Sequence, residues 1–277
     1  MTTAPSSPAP RGTDRGKRRV APVSESFDAE DQFDPAVAAR PLAAGVLLVG
    51  PILAAVGVLG WMRLVGGVPL LEPPAFDLLG LLLDLLLLLL FLVPHSLLAR
   101  GFGRRWLNRP LGPEAERPLY VLAAGATLTL MVFAWSESGP VIWNHAGMPA
   151  YAARAVQGAG LLLLGWALLV KGADNLLGIP HLRALETGRK AQGEELTALP
   201  PYRWMRHPMN VGFLLLMAGM PEVTLDRALL AGVTGAWILL SAPFEERDAG
   251  LTFGRSYRAY KERTPRWWPR FRRQQDQ

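Results

Sequence analysis

Apolar residues fall in four long blocks along this chain, and two shorter blocks follow in its C-terminal third. The long blocks run from about Pro41 to Trp61, Phe76 to Leu98, Leu119 to Trp135 and Ala155 to Val170. Each approaches the ~20 apolar residues that carry a helix across ~30 Å of hydrocarbon. Backbone polar groups in lipid must be satisfied within the segment, so helices are expected. No window alternates with the period of two that a membrane strand requires. Gly50-Pro51 predicts a kink in the first block. After the fourth block, Gly172 to Met205 mixes Asp174, His181, Arg183, Glu186, Arg189, Lys190 and Glu194 with scattered Leu. That mixture predicts a loop with one short amphipathic helix. Val211 to Met220 and Ala228 to Pro243 then flank a polar turn at 221–226 and predict a helical hairpin, its first arm short for a crossing.

The expected fold is therefore all-α: a polytopic transmembrane helical bundle of four spans plus a C-terminal hairpin, with no Rossmann domain. Residues 1–40 are rich in Pro, Ser, Ala and mixed charge, with a basic cluster at Arg15 to Arg19 and no apolar core behind it. They predict a disordered cytoplasmic tail, not a signal peptide. Residues 41–173 hold the four spans. Residues 174–277 hold the loop, the hairpin and a charged, aromatic C-terminal segment, whose Trp267-Trp268 beside Arg270, Arg272 and Arg273 suits the headgroup level.

Composition sharpens this. Half of the 277 residues are hydrophobic and only 19% are charged, which excludes an ordinary soluble domain. The absence of Cys excludes disulfides, thiolate metal sites and a Cys nucleophile, so any thiol chemistry uses a thiol brought by the substrate. Four scattered histidines have no helical metal-site spacing, and no metal is expected. The net charge of +6 flanks spans, which indicates contact with anionic membrane lipid and no nucleic-acid partner. Arg100, Arg104, Arg105, Arg109 and Arg117 crowd the second connection, and Lys171 to Arg206 the region after the fourth span. The other connections carry little beyond Arg63 and Arg154. That alternation predicts both termini and every charged motif on the cytoplasmic side.

Two clusters at the border of the apolar blocks carry candidate chemistry. Pro208 suits the first turn of a helix, so Arg206 and His207 precede an N-terminus whose free N–H groups favour an anion. Glu245 and Glu246 end the hairpin's return arm and come back beside Arg206 and His207. Carboxylates there suit a ribose or an ammonium group. A mutual ion pair of Arg203 or Arg206 with either glutamate is the structural alternative. In the second block Asp84 and His95 share one helix face about 16 Å apart. A carboxyl inside a leucine run must face the bundle interior. His95 is a candidate base and Asp84 part of a polar stripe, with interhelical bonding as the alternative. Gly158-Ala159-Gly160 lies inside a span and predicts close helix packing, not a dinucleotide fingerprint.

The ordered run Pro201-Tyr202, Arg206-His207-Pro208 and Gly212 resembles the first motif of the isoprenylcysteine carboxyl methyltransferase and phospholipid methyltransferase superfamily. Glu245-Glu246, Phe253-Gly254, Tyr257, Tyr260, Pro265 and Pro269 resemble its second. The resemblance implies S-adenosylmethionine as cofactor, with Tyr202, Arg206, His207, Gly212, Glu245 and Glu246 binding it. Asn210 stands where the family usually has an aromatic residue. Upstream, His95 to Arg100, Arg117 to Leu122, Trp135 and Trp143 are similar to the narrower branch of bacterial methanethiol S-methyltransferases and NnrU-like proteins. That branch implies a small hydrophobic or thiol substrate and a bacterial inner membrane. An isoprenylcysteine-type carboxylate or a phospholipid is the alternative acceptor. A haem-binding isomerase relative is a further alternative, in which the paired glutamates have no role.

Overall fold

The computed structural model describes residues 35–68, 77–100, 103, 112–137, 139–190 and 195–269. The tail up to residue 34, the arginines 104, 105 and 109, Glu194 and Arg270, Arg272 and Arg273 lie outside the described residues. Helices α1 (Pro35–Leu47) and α2 (Val49–Gly66) make the first apolar block, and α3 (Leu78–Leu98) the second. A short 3₁₀ turn, Pro113–Ala115, leads into α4 (Glu116–Ala134). Strand β1 (Val141–Asn144) precedes α5 (Met148–Lys171), and α6 (Ala173–Leu176) and α7 (Ile179–Thr187) follow it. Helix α8 (Pro208–Ala218), strand β2 (Glu222–Thr224) and the long α9 (Leu225–Arg263) complete the chain.

Among the described residues, five helical segments are long and apolar enough to cross a membrane: Pro41–Gly66, Leu78–Leu98, Pro113–Ala134, Met148–Lys171 and Leu225–Arg263. At most a third of each apolar window is buried by protein. Leu79, Leu86 and Leu162 stand outward, as lipid-facing side chains do. This is an all-α polytopic membrane protein. The break between α1 and α2 falls at Leu48, just ahead of the predicted Gly50-Pro51 kink. Pro51 has no N–H, and its ring crowds the carbonyl four residues earlier, at Leu47. The loop after α5 holds two helices instead of one, α6 and the longer α7. Among the described residues the only strands are β1 and β2, which pair antiparallel.

Glycines set the helix spacing. A Cβ on Gly125 of α4 would meet the Ala54 nitrogen at 2.6 Å, and one on Gly50 of α2 would meet the Leu122 nitrogen at 2.8 Å. The backbones of α2 and α4 thus touch directly, the small-residue packing that substitutes for hydrophobic drive inside lipid. Gly160 of α5 and Gly212 of α8 approach in the same way. Of the predicted packing pair, Gly160 fills that role and Gly158 faces open space. The core joins α2, α3, α4, α8 and α9 through Trp61, Leu64, Leu88, Met131, Leu216 and Leu230.

Helix α8 has 11 residues, about 16 Å at 1.5 Å per residue, roughly half of the ~30 Å hydrocarbon layer. It runs antiparallel to α5, with Gly212 against Gly160 and Gly219 against Ala153 and Gln157. The β1–β2 ladder ties the α4–α5 connection to the α8–α9 connection at one end of the bundle. The α3–α4 and α5–α8 connections therefore lie at the other end. Gly125→Val is expected to force α2 and α4 apart and destabilise the bundle by about 1–3 kcal/mol. Thermal unfolding in detergent reads that loss, and Gly158→Val is expected to leave the midpoint unchanged.

Candidate active site

Pro208 begins α8, as its fixed φ predicts, and His207 precedes it with no side-chain cap on the first turn. The N–H groups of that turn are left to another partner. On the facing helix, Glu246 is almost fully enclosed, and four side chains converge on its carboxylate. Arg206 Nη2 lies 2.8 Å from Oε1, and Arg266 reaches Oε1 from Nε at 2.7 Å and Oε2 from Nη2 at 3.0 Å. Lys261 Nζ is 3.1 Å from Oε2, and His207 Nε2 is 3.3 Å from Oε1. The expected pairing of the arginine–histidine motif with the double glutamate is present. Its partner is Arg206; Arg203 is exposed. The Arg266 pKa is raised, chiefly by its hydrogen bonds to Glu246.

Glu245 is placed differently. Its side chain is 48% exposed, with His207 Nδ1 at 3.4 Å and Ser241 Oγ donating at 2.9 Å. One imidazole thus bridges the two adjacent carboxylates. Asn210 sits near Glu245 and favours its charged form, although its Nδ2 makes no well-formed hydrogen bond. Three cations around two carboxylates leave the cluster with an excess of positive charge.

The geometry that gathers Lys261 and Arg266 depends on Gly254. Lys261 is fifteen residues beyond Glu246, about 22 Å along a straight helix, too far for its side chain to return. At Gly254 the backbone takes φ 56° and ψ −121°, which breaks the direction of α9 and folds its last turns back. Residues with a Cβ are strained there, so glycine is required. The returning chain is then fastened to the start of α8. Arg206 N donates to Pro265 O at 2.9 Å, and His207 N to Arg266 O at 3.3 Å. Arg206 Nη1 also caps the C-terminal carbonyls of α9, reaching Lys261 O at 3.0 Å and Thr264 O at 3.2 Å. Trp267 packs on the His207 ring at 5.2 Å. Beside this junction, Arg206 and residues 261–267 line a cleft of about 310 Å³.

Two of the expected cofactor residues have packing partners within the protein. Tyr202 is buried, donates its hydroxyl to Ala167 O at 3.3 Å and accepts from the Tyr260 hydroxyl on its carbonyl at 2.7 Å. Burial pushes its phenol up to about 12. The Cα face of Gly212 is filled by α5, because a Cβ there would meet Gly160 O at 3.0 Å. The polar stripe of α3 is also divided. Asp84 sits toward the opposite end, accepting from Ser136 N at 2.8 Å and Ser136 Oγ at 2.7 Å, where it ties down the chain leaving α4. His95 lies at the charged end, with Tyr120 Oη 3.1 Å from Nδ1. Sequence reasoning missed Lys261 and Arg266 as partners of Glu246. The available signal was a glycine inside an otherwise helical charged run.

An enclosed charge cluster at one end of a membrane helix bundle defines a polytopic membrane protein with a built polar site. The NnrU protein family description matches residues 83–272, well over half of the sequence. This chain belongs to the NnrU protein family. It is similar to methanethiol S-methyltransferase 2 of Bradyrhizobium diazoefficiens, 31% identical over 69% of this chain and 74% of that protein. Methanethiol S-methyltransferase of Mycobacterium tuberculosis is 34% identical over 66% of this chain and 75% of its own length. Nurim of Rattus norvegicus is 29% identical over 60% and 66%. No solved structure matches significantly. The relatives' names support a membrane methyltransferase-like function.

Glu246→Ala is expected to leave enclosed cations unpaired and cost roughly 3 kcal/mol. Glu245→Ala, on a half-exposed pair, is expected to cost at most about 1 kcal/mol. Detergent unfolding midpoints compare the two directly. Gly254→Ala is expected to cost roughly 1–3 kcal/mol in backbone strain and to loosen residues 255–269, read as faster amide exchange there.

Proposed function

We propose that this chain is an integral membrane methyltransferase that takes S-adenosylmethionine as donor and methylates a small thiol. Methanethiol is the acceptor that its bacterial relatives' names carry. The observation that supports this best is Glu246, enclosed by Arg206, His207, Lys261 and Arg266 at a helix N-terminus, with half-exposed Glu245 beside it.

The residues present fit the donor's functional groups. The positive excess, the open first turn of α8 and the unpartnered Arg206 Nε suit its carboxylate. Half-exposed Glu245, held by His207 and Ser241, offers its exposed side to the ammonium or ribose hydroxyls, whereas Glu246 is committed to its cations and holds them in place. Arg206, Lys261 and Arg266 thus bind, and the enclosed carboxylate orients them. When bound, the donor supplies an electrophilic methyl group on sulfur. The protein's part is to position the two reactants and exclude water, the effects that dominate a direct displacement.

In this reading residues 174–277 form the donor site, residues 41–173 the membrane body, and residues 1–40 a tail. The basic connections at the charged end support a cytoplasmic orientation of that end and of both termini, in a bacterial inner membrane. Donor then arrives from the cytoplasm, and a hydrophobic acceptor from the bilayer.

Calorimetric titration of S-adenosylmethionine into detergent-purified protein tests the reading. Wild type is expected to bind saturably, and Glu245→Gln to bind roughly 10- to 100-fold more weakly, the worth of a hydrogen bond to a charged group. Headspace detection of dimethyl sulfide from methanethiol tests the acceptor. Absence of binding by wild type would overturn the donor assignment. Binding without dimethyl sulfide would transfer the acceptor assignment to a carboxylate or a lipid amine.

A further inference from the structure

Helix α3 meets α9 along a defined line near the charged end. Trp237 Nε1 donates to Ser96 Oγ at 2.7 Å, and the Arg100 guanidinium lies 4.6 Å from the centre of the Phe244 ring. These contacts identify the stripe of α9 that faces α3. Ser241 and Glu245 fall on that same stripe, four and eight residues after Trp237. Glu245 therefore stands between His207 of α8 and the end of α3. On α3, His95 is adjacent to Ser96 and turned toward α4. There Tyr120 Oη lies 3.1 Å from its Nδ1 and 3.3 Å from its Nε2, and the Phe91 and Tyr120 rings flank it at 5.1 and 5.4 Å. His95 as a whole residue is half-buried. The charged groups within electrostatic reach are Arg117 of α4 and Glu245 of α9. The Arg117 guanidinium lies over the Tyr120 ring, 5.2 Å from its centre.

We propose that His95, oriented by Tyr120, is the base that takes the acceptor's proton; this rests on the methyltransferase reading above. A thiol is a poor nucleophile until it loses its proton, and the imidazole that contacts Glu245 directly, His207, is engaged by both glutamates. The neutral ring carries its proton on one nitrogen and a lone pair on the other, and Tyr120 Oη is within hydrogen-bond reach of both. The acceptor S–H bond breaks and its proton goes to the ring nitrogen that carries the lone pair. The sulfur's electron pair forms the bond to the methyl carbon, whose bond to the sulfonium breaks with its pair remaining on the donor's sulfur. Tyr120 is a positioning residue, holding the ring in place. Glu245, one side on the donor site and the other toward His95, stabilises the imidazolium that results.

The test compares methanethiol with methaneselenol, an acceptor of nearly the same shape that is already ionised at neutral pH. His95→Gln is expected to bind S-adenosylmethionine like wild type. It should lose about 100-fold in rate on methanethiol but less than about threefold on methaneselenol, because a general base is worth that much only when a proton must be removed. Tyr120→Phe, a milder change, is expected to show the same selectivity at smaller amplitude. A second readout needs no turnover. In protein loaded with S-adenosylhomocysteine, bound methanethiol is expected to show thiolate absorbance in wild type and none in His95→Gln. Equal losses on the two acceptors, or thiolate absorbance that persists without His95, would overturn the base assignment while leaving the donor site intact. Failure of wild type to bind the donor would overturn the underlying reading and this inference with it.

Discussion

The Glu246 carboxylate is the point at which three separate parts of the chain are joined. Arg206 comes from the segment before α8, Lys261 from the last turn of α9 and Arg266 from the turn beyond it. An enclosed carboxylate without cations would carry a large desolvation cost, and so would the cations without it. Each member is therefore conditional on the others, and the C-terminal segment cannot leave without exposing the rest to that cost. The backbone bonds from Arg206 and His207 to Pro265 and Arg266 add direction to the attraction. The cleft beside them exists because this junction is closed.

The bundle behind the junction is rigid for a different reason. Lipid offers no hydrophobic gain for bringing two apolar helices together, so contact must come from close backbone approach. Gly50 with Gly125, and Gly160 with Gly212, supply it. The second pair also sets how far α8 stands from α5 and thereby where Arg206 and His207 emerge. Packing glycines in the membrane and ion pairs at its edge thus act in series on one site. At the far end Asp84, bonded to Ser136, and Asp226, bonded to Trp135, close the bundle with polar contacts.

Much of this was readable from the residue order. Long apolar blocks announce membrane helices because hydrocarbon thickness and helix rise leave few alternatives. Pro208 announces a helix start, and a hairpin necessarily returns Glu245 and Glu246 toward Arg206 and His207. The packing partners of Tyr202 and Gly212 were not readable in this way. A tyrosine and a glycine in a ligand-binding motif look the same whether they face a ligand or a neighbouring helix, and here both face α5.

What the sequence by itself determined is the set of elements, the end of the bundle at which the charges gather, and the pairing of the arginine–histidine and double-glutamate motifs. These follow from periodicity, chain connectivity and the cost of burying charge. Only the tertiary structure decided which glutamate is enclosed and which remains half exposed, and that Lys261 and Arg266 come back to Glu246. It also separated His95 from Asp84 along one helix and gave them different partners, Tyr120 and Ser136. The physical reason is that a helical stripe defines a direction, not a neighbour. A single backbone break at Gly254 redirects fifteen residues of charge, and local residue preferences carry little of that information.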